Sequence, residues 1–137
     1  MSGLVSLAAD INPFGSSVPR DFNVFNGALY FTAVDPALFT NILYRVNAGG
    51  VVEPVPDIIG GAWDPGAFGS GFIEFDGSLF FSAYVPSSGG YELCRVDETG
   101  TIQLVDLDPG SASEAGNFSG FAIFNGELYF SASTPAT

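Results

Sequence analysis

The chain has 137 residues, 47% of them apolar with fourteen Phe, and sets three Lys+Arg against fifteen Asp+Glu for a formal charge of −12. That apolar content supplies a core, while the negative charge repels phosphate backbones and anionic lipid, so neither nucleic acid nor a membrane surface is expected as a partner. Lys and His are absent and Cys94 is the single cysteine, which removes the commonest general base, any Schiff-base lysine, an intramolecular disulfide and a Cys-cluster metal site.

The first ten residues, Met1 to Asp10, lack a basic stretch followed by a long apolar run, so neither a cleavable signal nor a membrane anchor is expected there. Leu4, Val5 and Leu7 read instead as a lone strand, over residues 4–8. Next comes a short turn-rich element, ADINPFGSS from Ala9, echoed by PDIIGG from Pro56 and VDLDPGSAS from Val105.

From Phe22 the chain begins to repeat. FNVFNGALYFTA at Phe22, FIEFDGSLFFSA at Phe72 and FAIFNGELYFSA at Phe121 superpose without gaps, fifty and forty-nine residues apart. Each is two short strands, a and b, around Asn26-Gly27, Asp76-Gly77 or Asn125-Gly126, dipeptides that tolerate the positive φ of a type I′ hairpin turn. After the first turn Leu29, Phe31 and Ala33 alternate with Tyr30 and Thr32, so both faces of the sheet are expected to be covered. A second hairpin, strands c and d, follows in ILYRVNAGGVVEPV at Ile42 and ELCRVDETGTIQLV at Glu92, again fifty residues apart.

A fixed period of this length decides architecture. The expected fold is all-β: tandem four-stranded antiparallel blades, β-propeller-like, with incomplete terminal blades. One repeat module spans 1–137, with a strand d remnant at 4–8, blades at 22–55 and 72–105, and a half blade at 121–132. A sandwich or a β-solenoid built from the same hairpins is the structural alternative. Propellers close four to eight blades, more than this chain supplies. Unmatched edges template pairing with another chain, so the chain is expected to associate with copies of itself through Leu4, Val5 and Leu7 at one end and Leu128 and Phe130 at the other. Such a contact gives a ring where the rotation closes and a filament where it does not. The competing expectation is a piece excised from a longer array.

These residues resemble the bacterial repeat family named for its E-L-W-x-x-D-G-T signature. Asp10-Ile11-Asn12-Pro13 and Asp108-Pro109-Gly110-Ser111 are similar to its D-I-N-P-G-S stretch, and Phe22 to Phe31 and Phe121 to Phe130 to its F-x-x-F-N-G-x-L-Y-F segment. Glu92-Leu93 is followed by Cys94 where the family has Trp, and Asp97 to Thr101 only approximates the end of the signature. The resemblance implies a large extracellular protein of propeller-like fold and transfers no catalytic residue.

Candidate sites divide by chemistry. Asp106, Asp108, Ser111, Ser113 and Glu114 offer oxygen ligands, but Ser111 stands where a calcium loop needs Gly and Asn117 where it needs a bidentate Glu, so an Asp-Pro-Gly turn is the expected role and no metal or cofactor is expected. Scattered carboxylates leave a glycosidase as a remote alternative. Without His the Ser-rich loops read as turns and Cys94 as a small buried apolar residue. Arg45 and Arg95 hold equivalent positions, which points to pairing with a neighbouring blade's carboxylate. Trp63, in a Gly- and Pro-rich loop, and Tyr84 and Tyr91, around a Ser-Ser-Gly-Gly loop, are the candidate ligand-binding aromatics, suited to a sugar ring. Asn117-Phe118-Ser119 forms a glycosylation sequon read as turn chemistry. The expected role is non-catalytic self-assembly, with a carbohydrate-binding module as runner-up.

Overall fold

A computed structural model of the chain describes Ile11 and residues 15–57, 61–66, 71–105 and 120–131. All regular structure among these residues is β-strand. The first sheet holds β1 (Arg20–Phe25), β2 (Ala28–Asp35), β3 (Thr40–Val46) and β4 (Val52–Pro54) in that order. The second repeats it with β5 (Phe72–Phe75), β6 (Ser78–Val85), β7 (Gly90–Val96) and β8 (Ile102–Val105), and a two-stranded third sheet pairs β9 (Phe121–Phe124) with β10 (Glu127–Phe130). Every pairing between these strands is antiparallel, and one isolated parallel bridge joins Asp57 to Ile102. The three sheets stay separate and do not close on themselves.

Register follows the repeat. Phe25↔Ala28, Phe75↔Ser78 and Phe124↔Glu127 close the three a–b hairpins, and Leu29↔Val46 matches Leu79↔Val96. The turns explain why. Asn26 and Gly27 take φ of 48° and 75°, Asp76 and Gly77 50° and 78°, and Asn125 and Gly126 52° and 76°, the double positive φ of a type I′ turn that matches strand twist and leaves no slack for a slipped register.

The c–d turn is held differently. Asn47 Oδ1 accepts from the amides of Gly49 and Val51, and Asp97 Oδ1 accepts from those of Thr99 and Thr101. One side chain thus ties the whole loop.

Because neighbouring residues of a strand point to opposite faces, each sheet has two. We call the face carrying Phe25, Tyr30, Leu43 and Arg45 the front of the first sheet, and the face carrying Phe22, Leu29, Phe31, Ala33 and Tyr44 its back. The main core lies between the front of the first sheet and the back of the second: Phe25, Tyr30 and Leu43 pack with Leu79, Phe81, Ala83, Val85, Cys94 and Val96. Burying these side chains contributes about 1.5–3 kcal/mol for each large one. A smaller cluster on the back of the first sheet joins Phe31, Ala33 and Tyr44, with Ile11 packed against it. Between sheets, β5 approaches β1, and β9 approaches β5.

Candidate functional site

Contact between the first two sheets is reinforced by polar groups that the repeat places at fixed points. Arg45 Nε and Nη2 lie 2.8 Å from Glu53 Oε2, and its Nη1 donates to the Gly100 carbonyl, 2.8 Å away in the second sheet's c–d turn. Bonds to Arg45, then to Asn47, hold the Glu53 carboxyl below its ordinary range. The neighbouring-sheet partner of Arg45 is therefore a backbone carbonyl, and its carboxylate lies in its own sheet. Among the described residues Arg95 bonds within its own sheet, donating to Ser78 Oγ and Gln103 Oε1. Gly100 is needed where the guanidinium comes close: its φ is +83°, and a Cβ there would sit 2.5 Å from Arg45 Nη1. Beside this bridge a cleft of about 330 Å³ is lined by Tyr30, Arg45, Asn47, Glu53, Glu98 and Thr99.

The connecting segment makes a second tie. Trp63 exchanges two backbone hydrogen bonds with Tyr84, while the Asp64 amide donates to the Asn41 carbonyl and Asp64 Oδ1 accepts from Thr40 and Asn41. Trp63 is thus strand-paired and half-buried, where the Gly- and Pro-rich sequence around it suggested a free loop. Tyr84 supplies the open edge beyond the end of β5, and that pairing fixes the tryptophan. All three candidate aromatics come together: the Trp63 and Tyr84 rings stack at 6.1 Å and Tyr84 meets Tyr91 edge-on at 5.6 Å. With one ring face committed to Tyr84, Trp63 has at most one face left for any ligand.

Among the candidate assembly residues, Leu128 and Phe130 lie half-buried on the back of the third sheet, and β10 has no second strand partner among the described residues. Leu4, Val5 and Leu7 lie outside the described residues, as do the acidic loop from Asp106 to Glu114 and the sequon at Asn117. Cys94 is fully buried and its thiol is pushed up to about 12, first by burial and then by the charges of Glu92 and Asp57, so no thiolate is available at neutral pH.

A signal that strand alternation alone does not carry appears when equivalent positions are compared. On the front face Phe25 is 2% exposed, Phe75 intermediate and Phe124 65% exposed; Tyr30 is 3% exposed, Phe80 intermediate and Tyr129 51% exposed. On the back face the order reverses: Phe22 is 56% exposed and Leu29 half-buried, whereas Phe72 packs against the main core and Leu79 is buried. No family model, curated protein or solved structure matches this chain, so its function is argued from this geometry.

Proposed function

We propose that this chain is a non-catalytic β-repeat protein whose sheets are blades of a propeller-like stack, and that it assembles with copies of itself into a ring or a filament. The carrying observation is how the first two sheets meet. The front of one packs on the back of the next, a contact between two different surfaces of the same repeat. Two-sheet sandwiches bury one face of each sheet and leave the others polar. A front-to-back contact instead leaves one front and one back over at the ends of any stack, and such heterologous contacts propagate until they close. The approach of β5 to β1 and of β9 to β5 supports blades arranged about a common inner side. Resemblance to the E-L-W-x-x-D-G-T repeats supports the same reading and an extracellular setting.

Light scattering across protein concentration tests the assembly. The expected result is a defined multiple of the 14.3 kDa chain or an open-ended series, growing as salt screens the −12 charge that each copy carries. A 14.3 kDa particle at every concentration and salt would refute it. That outcome would leave the second reading, a carbohydrate-binding module, which one observation favours: Trp63, Tyr84 and Tyr91 form one aromatic cluster.

A further inference from the structure

Resting on that self-assembly reading, we propose where two copies meet: the front of β9–β10, through Phe124 and Tyr129, packs on the back of β1–β2 of a second copy, through Phe22 and Leu29.

The argument begins from the contact already formed inside one chain. Phe25 and Tyr30 on the front of β1–β2 are buried in one cluster with Leu79 and Phe81, and Phe72 packs against it. Phe124 and Tyr129 are the repeat equivalents of Phe25 and Tyr30, with the same pairing to the turn, and Phe22, Leu29 and Phe31 are the equivalents of Phe72, Leu79 and Phe81. Both halves of the contact formed between the first two sheets are therefore present on one molecule. They lie at its two ends, and both expose aromatic rings: Phe124, Tyr129 and Phe22 are all more than half exposed. Large apolar side chains exposed together in this way mark interaction sites.

Shape narrows the fit. The back of the first sheet is not bare throughout, because Phe31, Ala33 and Tyr44 are buried in the cluster that Ile11 packs against. What stays open is the inner strip, where β1 carries Phe22 at 56% exposure and Phe31 stacks beneath it at 5.4 Å. A four-stranded sheet would collide with the covered part, whereas a two-stranded sheet of inner strands covers the strip alone. Among the described residues β9–β10 is such a sheet. A second copy fits this surface better than an unrelated partner, since the contact reuses a geometry already formed between the first and second sheets of the same chain.

The contact has two unlike sides, and that gives the test. Phe124→Asp spoils only the front and Phe22→Asp only the back, and both side chains are exposed enough that each variant should unfold in urea like the native chain at concentrations too low for assembly. Each substitution places a charge where a central aromatic anchor was, and is expected to weaken association at least ~30-fold. Light scattering should show each variant alone as a monomer at concentrations where the native chain assembles. An equimolar mixture should give 1:1 pairs that grow no further, the intact front of one variant seating on the intact back of the other. If the native chain assembles and both variants still do, or if the mixture stays monomeric, this interface is wrong while self-assembly stands. A native chain that is monomeric throughout overturns the assembly reading itself.

Discussion

The first and second sheets are the same device built twice, with one topology and one register fifty residues apart, yet their equivalent side chains have different surroundings. Leu29 is half-buried where Leu79 is buried, and Phe25 is buried where Phe75 is half-buried. Side-chain chemistry cannot be the cause, because those positions hold the same residue. Place in the stack decides it: the first sheet has a neighbour on its front and the second on its back.

This difference is broken most strongly by truncating the front-face phenylalanines in turn. Phe25→Ala opens a cavity between two sheets and is expected to destabilise by about 3–5 kcal/mol. Phe75→Ala should lie in between, and Phe124→Ala within about 0.5 kcal/mol for the monomer. Urea unfolding of the three variants at one concentration checks the order. Equal losses at all three positions would show that burial does not follow place in the stack. Repeating the series at rising concentration sharpens it, since the native chain should gain stability on association and Phe124→Ala should not.

Much of this architecture could be read directly from the residues. Asn26-Gly27 and its two copies announce the hairpins, and the alternation of Leu29, Phe31 and Ala33 with Tyr30 and Thr32 announces a sheet covered on both faces. What periodicity could not carry is which face meets which, because front and back are both apolar and only packing distinguishes them. An unmatched edge points to Leu128 and Phe130 by their strand, and their side chains lie half-buried on the back of the third sheet, whereas the exposed Phe124 and Tyr129 on its front are visible only in the structure. Arg45 shows the same limit. Its equivalence to Arg95 was plain, but one reaches across to Gly100 and the other does not, since the second sheet has no c–d turn in front of it among the described residues.

That asymmetry offers a smaller and more selective break. Ala at Gly100 or Gly50 meets a positive φ of 83° or 82°, a strain worth about 1 kcal/mol in each case. Only at Gly100 does the added Cβ also strike Arg45. Gly100→Ala should therefore cost about 1–2 kcal/mol more than Gly50→Ala, the extra being the lost charge-assisted bond to the Gly100 carbonyl. In an Arg45→Met background the two should become equal, and a double-mutant cycle measures that coupling. An undiminished difference in that background would mean that the arginine bridge does not join the sheets.

The smallest effect comes from a reversal of polarity between the two c–d hairpins. In the first, Asn47 Nδ2 donates to Glu53 Oε1 at 2.9 Å; in the second, Gln103 Nε2 donates to Asp97 Oδ2. Donor and acceptor have exchanged strands, so each hairpin holds one amide and one carboxylate, and a single swap upsets them unequally. Asp97→Asn keeps the Oδ1 that ties the turn but loses the bond from Gln103 Nε2, because the Gln103 oxygen is engaged by Arg95, so the loss at neutral pH should be about 1 kcal/mol. Asn47→Asp sets two carboxylates together and should lose more. Acid separates the hairpins further. The Thr99 hydroxyl, 2.6 Å from Asp97 Oδ1, leads the groups that hold this carboxyl below its ordinary range, followed by the amides of Thr101 and Thr99 and by Gln103. In the unfolded chain an Asp titrates near about 3.9. The stability this carboxylate contributes is thus present above that pH and is lost as pH falls through its lower folded value. Thermal melts from neutral pH into that acid range should show Asp97→Asn losing less stability than the native chain; parallel losses would mean that Asp97 is no more acidic folded than unfolded.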